Sequence, residues 1–248
     1  MSITTEEELR ALRAAGEAVS RVLEAMKQEV RPAGVTTAEL DEVGAAVMRS
    51  QGARSAPAMV YQFPGANCIS INEEAVHGIP AQRQLRNGDL IKLDVTVEKD
   101  GFMADAAVTV PVGPVSDADQ KLMACAEHAF QKALLVARAG FRVFDIGRAV
   151  EKEVRRDGFS VIRELGGHGI GRTIHENPRV PNFADTTATE FLSEGMVITI
   201  EPIIAAGKGE VQTQRDGWTV CTVDRSRSAH YEHTIVITRG RPIILTAA

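Results

Sequence analysis

Four carboxylic acids and one histidine of this chain lie at the edges of apolar segments. The acids are Asp94, Asp105, Glu201 and Glu232. Glu201 follows an apolar run at 196–200 that is typical of a buried strand, and Glu232 stands just before a β-branched run. A buried carboxylate is unfavourable unless a cation, a proton or a hydrogen-bond donor accompanies it. The sequence therefore predicts that these acids share a partner.

The first two acids are expected to share one face of a β-hairpin. Asp94 interrupts an alternating pattern, so it lies opposite the apolar residues; taken alone, that is typical of a solvated strand face. Asp100 and Gly101 indicate a two-residue loop, which would pair Thr96 with Asp105. Asp94 and Asp105 would then be diagonal neighbours about 7 Å apart. A three-residue loop would put them on opposite faces.

The histidine, His168, lies in the glycine-rich segment 166–171, where the backbone can approach a ligand closely. A single histidine in such a loop more often only stabilises the loop. Together with the four acids, however, it supplies four negative charges and one neutral imidazole. Such a set balances two divalent cations, and two ions about 3.5 Å apart can share a water whose pKa falls toward neutrality. The set predicts metal-dependent hydrolysis, and no GxSxG, phosphate-loop or dinucleotide-binding motif competes with it.

Helical patterns precede each group of strands. Apolar residues at three- and four-residue steps predict helices at about 5–31, 36–52, 116–140 and 144–158. The second of these opens with Thr36 and Glu39 at the spacing of a capping box.

The two pairs of helices and the strands after them resemble each other. At an offset of 106 residues Gly34 falls on Gly140, and at 107 the segment ending at Asp94 falls on the segment ending at Glu201. Chance coincidence is the alternative. We predict one domain, 1–248, with an internal repeat at about 5–115 and 116–248. The fold class would be α+β, with two pseudo-twofold halves, one sheet layer and helices on one face, and the site between the halves.

Composition excludes several classes of protein. With 44% hydrophobic and 25% charged residues the chain matches a globular protein, and a net charge of −5 lacks the basic excess of a nucleic-acid binder. Three widely spaced cysteines fit neither a disulfide framework nor a thiolate zinc site. No secretion signal or membrane span is apparent. We expect a cytoplasmic monomer that binds neither membranes nor nucleic acids.

Nearly the whole chain, from about residue 5 to 245, resembles the short type I class of methionine aminopeptidases, which have the pita-bread fold with a curved antiparallel sheet. The motifs that carry the resemblance are CISINE at 68–73, HGIP at 77–80, GGHGIG at 166–171, TIEP at 199–202, DGWT at 216–219 and YEHT at 231–234.

The resemblance implies roles for the metal ligands. Asp94 would chelate one divalent ion, Asp105 and Glu232 would bridge two, and His168 and Glu201 would complete the second. Manganese, iron, cobalt and zinc all accept such ligands.

The resemblance also implies catalytic and binding residues. Glu201 would take a proton from the water that bridges the metal ions and deliver it to the leaving amine. His77 would hydrogen-bond the substrate amide nitrogen, and His175 would stabilise the oxyanion. The methionine pocket would consist of Phe63, Cys68, Ile174 and Trp218. Ile174 stands where many relatives have an aromatic residue, and Val60 where they often have tyrosine, with Tyr61 next to it. Ordinary core packing and turn formation are the alternatives for the aromatic residues and the histidines.

A weaker correspondence places a monovalent cation near Asn72 and Ser228. Contact with a ribosome would depend on surface loops, and the nearly neutral loop at 207–210 is more typical of an exposed hairpin tip.

The expected function is removal of the initiator methionine from nascent polypeptides with a small second residue, by attack of a metal-bridging hydroxide on the first peptide carbonyl. A non-catalytic binding module of the same fold predicts lost ligands, and all five are present. A proline-directed peptidase predicts a separate N-terminal domain, for which the residues before the first helix leave no room.

Overall fold

The computed structural model describes residues 1–32 and 34–247. The helices in this part of the chain are α1 (Glu6–Glu29), α2 (Thr37–Ser50), α3 (Ala56–Tyr61), α4 (Asp117–Leu134) and α5 (Val143–Arg156). The strands are β1 (Arg54–Ser55), β2 (Cys68–Ile71), β3 (Glu74–Val76), β4 (Leu90–Lys99), β5 (Phe102–Pro111), β6 (Ser160–Val161), β7 (Gly166–Gly169), β8 (Glu176–Pro181), β9 (Val197–Ile200), β10 (Ile203–Ala205), β11 (Val211–Thr213), β12 (Val220–Thr222), β13 (Ser228–Val236) and β14 (Ile243–Ile244).

The helix starts follow the capping residues of the sequence. Thr5 caps α1, and Thr36 and Glu39 form the predicted capping box of α2, each accepting a backbone N–H of the other. The end predicted for α4 is wrong: the helix stops at Leu134, not near Gly140. The backbone N–H groups of Ala139 and Gly140 donate to carbonyls of other segments, so this stretch leaves the helix. The short helix α3 was not predicted.

Eleven strands form a single antiparallel sheet with the central order β1-β4-β5-β13-β9-β7-β8. A second sheet has three strands, in the order β11-β12-β3. The strands of the two halves of the chain meet where β5 pairs with β13, with Ala107 opposite Glu232. The middle of the main sheet is therefore built from both halves.

The β4–β5 hairpin has the two-residue loop that the sequence predicts. Lys99 lies opposite Phe102, and Thr96 lies opposite Asp105. Asp100 and Gly101 have φ values of 51° and 81°, the left-handed geometry of a tight hairpin turn. Asp94 and Asp105 therefore lie on one face of the sheet.

Two apolar clusters fix the helices against the sheet. One joins α1 and α2 to β4 and β5 through residues such as Val19, Leu40 and Leu93. The other joins α4 and α5 to β9 and β13 through residues such as Phe130, Val150 and Ile235. The odd-numbered residues of β4 point into the first cluster, so Lys92, Asp94 and Thr96 face the other side of the sheet. The division of the chain near residue 115 stays a prediction.

Candidate metal centre and active site

The register of the sheet places the acids in a row. Cys68 lies opposite Asp94 and Asp94 opposite Ala107, which in turn lies opposite Glu232. Directly opposed residues of antiparallel strands share a face. Asp94 and Glu232 therefore project from the same face, away from the helices, although they belong to different halves of the chain.

The remaining predicted ligands come together at the same place. Potential ligand atoms of Asp105, His168 and Glu232 all lie within 4.8 Å of one another. His168 Nε2 is 3.6 Å from Glu201 Oε1, which brings the fifth residue to the cluster. Asp94 also belongs to this cluster, because the side chain of Asp105 contacts it.

Local hydrogen bonds orient two of these side chains. The Nδ1 atom of His168 is 2.9 Å from the carbonyl oxygen of Gly169, an arrangement in which Nδ1 carries the proton and Nε2 presents its lone pair to the cluster. The Thr199 hydroxyl donates to Glu201 Oε1 at 3.0 Å and accepts the backbone N–H of His168 at 3.0 Å. One threonine thus holds the acid and the imidazole in a fixed relation.

The five clustered side chains include four acids and a neutral imidazole, so none of the five supplies a compensating positive charge. Burial raises the pKa of all four carboxyl groups, and the neighbouring carboxylate of Glu232 raises the pKa of Asp105 and Glu201 further. Burial lowers the pKa of His168 to about 4, so its imidazole is neutral at physiological pH. A positive charge at the centre of the cluster would stabilise every one of these ionised acids.

The residues fit a divalent metal ion. Among the described residues, Asp105 Oδ1 and Glu232 Oε1 are buried side-chain oxygens without a hydrogen-bond partner. Such orphaned acceptors are rare unless an unobserved ion or water satisfies them. Carboxylate oxygens with one imidazole nitrogen are a donor set that hard and borderline divalent ions accept.

Sequence reasoning missed one member of the cluster, His230. Its Nε2 atom lies 3.2 Å from Glu232 Oε2 and 4.0 Å from Glu201 Oε2, and these three residues could also hold a metal ion. Burial lowers the pKa of His230 and thereby favours the neutral ring. The signal was present in the sequence, because Ser228, His230 and Glu232 alternate along one strand and share a face.

Two further histidines stand beside the cluster in a cavity of about 380 Å³. The ring of His175 lies 4.3 Å from that of His168, centre to centre, and its Nδ1 atom is 2.6 Å from the Tyr61 hydroxyl oxygen. His77 has a φ of 57°, a left-handed conformation that is uncommon outside glycine and is often found at functional sites. Burial lowers the pKa of both His77 and His175, which keeps the rings neutral.

The remaining predicted pocket residues line the apolar part of the same cavity. They are Phe63, Cys68, Ile174 and Trp218. The rings of Phe63 and Trp218 meet edge to face, with centres 5.3 Å apart. Tyr61 also lines the cavity and Val60 does not, although both side chains are similarly exposed at the surface. Tyr61 therefore places an aromatic ring in the cavity.

A model of metallopeptidase family M24 matches residues 10–239. This chain belongs to metallopeptidase family M24. It is 44% identical to methionine aminopeptidase 2 of Bacillus subtilis over 248 residues, with 99% of both chains covered. The methionine aminopeptidase of Escherichia coli is 42% identical, over 99% of this chain and 94% of that one. Membership of the family confirms the prediction that this protein is a metal-dependent hydrolase that uses divalent ions.

The fold prediction is confirmed by a solved relative. The crystal structure of the methionine aminopeptidase from Thermotoga maritima superimposes with a TM-score of 0.96 at 34% identity, with 100% of each chain covered. The M24 chain described here therefore has the pita-bread fold, with a large antiparallel sheet and helices packed on it. No helix among the described residues is long and apolar enough to cross a membrane.

Proposed function

We propose that this M24 chain removes the initiator methionine from polypeptides whose second residue is small. The proposal rests on one observation: all of the predicted metal, catalytic and pocket residues line a single cavity. Acids and imidazoles line one part of it, and apolar side chains line another. A methionine side chain in the apolar part would bring the first peptide bond next to the carboxylates.

The metal ligands proposed are Asp94, Asp105, His168, Glu201 and Glu232, and their four negative charges match two divalent ions. Such ions, when bound, supply Lewis-acid activation of water and carbonyl groups at neutral pH. The neutral state of His168 leaves its Nε2 lone pair free for this purpose. The row formed by Asp94 and Glu232 provides oxygens from both halves of the chain.

Glu201 is the group proposed to move the proton. Its Oε1 atom is anchored by the Thr199 hydroxyl, while its Oε2 atom faces the cluster near His230. Burial raises the pKa of Glu201, which favours its acting as a proton acceptor and then as a donor. The carboxyl group would take a proton from the attacking water and deliver it to the leaving amine.

His77 and His175 are proposed to bind the reacting peptide. His175 is oriented by Tyr61, and its ring lies against His168, next to the cluster. A ring so placed can donate a hydrogen bond to the oxygen that becomes negative as the carbonyl is attacked. His77, held by its left-handed backbone, would bind the amide nitrogen of the second residue.

The cavity volume supports the proposed selectivity. Ligand pockets usually measure about 300–1,000 Å³, so a cavity of about 380 Å³ is a small one. Phe63, Ile174 and Trp218 offer an apolar surface for an unbranched thioether side chain. Once methionine occupies it, little volume remains for a large second side chain.

Release of methionine from Met-Ala-Ser and Met-Leu-Ser by metal-loaded protein tests this proposal. We expect release from the first peptide and little from the second. Glu201→Gln is the matched control, because it keeps the shape of the side chain and removes the proton acceptor. Equal release from both peptides would contradict the selectivity, and release by Glu201→Gln would contradict the proton shuttle.

The proposal also covers the substrates, the cellular location and the oligomeric state of the chain. The substrates would be nascent polypeptide N-termini, and the chain would act as a cytoplasmic monomer. Any contact with a ribosome would use exposed loops such as the one at 207–210, where the Lys208 backbone N–H is held by Asp224.

A further inference from the structure

A lysine is fully buried in the sheet, directly beside the metal centre. Lys92 is only 1% exposed and is among the largest completely buried side chains of the protein. It lies on β4 two residues before Asp94 and therefore projects from the same face. Lysine is almost never fully buried unless its charge is paired or bound by oxygens. The surroundings of its ammonium group therefore require an explanation.

Oxygen atoms from distant parts of the chain surround the ammonium group. Lys92 Nζ donates to the carbonyl oxygen of Asn72 at 2.7 Å, to the hydroxyl oxygen of Ser228 at 3.2 Å and to its carbonyl oxygen at 3.4 Å. An ammonium group has three N–H donors, and these oxygens match them in number. Lys92 thereby connects β4 to β13 and to the turn that follows β2.

The turn at Asn72 is built to present its carbonyl oxygen. Asn72 has a φ of 55°, a left-handed conformation that asparagine adopts more readily than most residues. Its backbone N–H donates to Leu90, its side-chain oxygen accepts the Leu90 N–H, and its side-chain amide donates to Asp89. The backbone N–H of Ser228 donates to the same Asn72 carbonyl. These bonds hold the oxygens in place independently of Lys92.

Asn72 and Ser228 are the residues at which the family resemblance implies a monovalent cation. Carbonyl and hydroxyl oxygens held in this way would suit such an ion. The residues present do not fit it, however, because Lys92 Nζ already lies within hydrogen-bond distance of those oxygens. The carboxylates of Glu73 and Glu74 add a favourable negative potential, although burial lowers the pKa of Lys92 to about 7.

We propose that the ammonium group of Lys92 replaces the monovalent cation in this protein. The chain carries its own cation at the junction of its two halves, covalently attached to the strand that bears Asp94. Sodium and potassium ions should then have no specific effect on its stability. Removal of the lysine side chain should expose the oxygens and create a site for a free ion.

Thermal unfolding in sodium, potassium and tetramethylammonium chloride at equal ionic strength tests the proposal. Tetramethylammonium is too large for the space left by one ammonium group. We expect the wild-type Tm to be the same in all three salts. Lys92→Ala should have a lower Tm, and sodium or potassium should raise it by about 2 °C or more relative to tetramethylammonium.

Lys92→Met is the matched control, because it removes the charge but still fills most of the space. Its Tm should be low in all three salts, without recovery. A wild-type Tm that rises in sodium or potassium, or a Lys92→Ala response no larger than that of Lys92→Met, would overturn the proposal. Rubidium-soaked wild-type crystals give a second measurement that needs no variant. A rubidium peak between Asn72 and Ser228 would contradict the proposal, and its absence would support it.

Discussion

Substitution of one buried acid should stabilise the metal-free protein. In Glu232→Gln the shape of the side chain is kept and one negative charge is removed from the cluster. Glu232 Oε1 has no hydrogen-bond partner among the described residues, and neither has Asp105 Oδ1. An amide N–H at position 232 would therefore have an acceptor nearby. We expect metal-free Glu232→Gln to be more stable than metal-free wild type at neutral pH.

The expected gain in stability follows from the distance between two of the acids. Ligand atoms of Asp105 and Glu232 lie within 4.8 Å of each other. Two unit charges at that distance repel by about 3 kcal/mol at an effective dielectric constant of about 20. Burial opposes ionisation of these acids as well, but proton uptake at about pH 7.5 costs about 4 kcal/mol, and this cost is the upper limit of the destabilisation by one acid. A gain of about 2–3 kcal/mol corresponds to a rise in Tm of about 5 °C or more in a chain of this size.

The stability advantage of Glu232→Gln over wild type should increase with pH. Burial raises the pKa of Glu232 and Asp105 in the folded state, so their unfavourable contribution is absent below the unfolded pKa of about 4 and grows as the pH rises. The advantage of Glu232→Gln should therefore be large at about pH 7.5 and smaller at about pH 5.

Urea unfolding of chelator-treated protein at the two pH values measures this effect, with and without excess Mn²⁺. The exposed acid Glu190 provides the control, since Glu190→Gln should change the free energy of unfolding by less than about 0.5 kcal/mol. Saturating Mn²⁺ should reverse the order of stability, because the variant lacks one of the proposed metal ligands. A metal-free Glu232→Gln protein that is less stable than wild type at neutral pH would refute the electrostatic account of the cluster.

Three other predictions concern single residues. His77→Ala should lower kcat about 10²-fold with an unchanged circular dichroism spectrum, and an unchanged kcat would assign this histidine to the turn alone. His230→Ala should weaken Zn²⁺ binding about 10-fold and Mn²⁺ binding less, because imidazole suits zinc better; equal calorimetric affinities for variant and wild type would exclude His230 from the metal site. Burial raises the pKa of the Cys125 thiol to about 12, so at about pH 8 a thiol reagent should label it only on unfolding. Rapid labelling of native protein at Cys125 would contradict this burial.

The sequence was sufficient for the parts of the site that depend on strand periodicity and local turns. The Asp100-Gly101 turn set the register of β4 and β5, and this register alone put Asp94 and Asp105 on one face. Glu201 was recognisable because an acid in an apolar strand requires a partner. The capping box at Thr36 fixed the start of α2 to within one residue.

Features that depend on contacts between distant segments were not predictable in this way. His230 follows the same alternation as Glu232, but only the pairing of β13 with β5 brings it to the face that bears the clustered acids. Lys92 reads as an ordinary exposed residue of an alternating strand, and its burial depends on Asn72 and Ser228, which are far apart in the chain. The early end of α4 likewise results from backbone bonds to Leu192 and Thr238. Local patterns contain no information on such partners.

The clustered acids and His168 are proposed to hold the ions on which peptide hydrolysis depends. The most direct test is to titrate metal-stripped protein with Mn²⁺ while bound metal and methionine release from Met-Ala-Ser are measured in the same samples. We expect no release without metal, and we expect release to rise with metal occupancy up to two ions per chain. Full release by protein that contains no divalent metal would contradict this proposal.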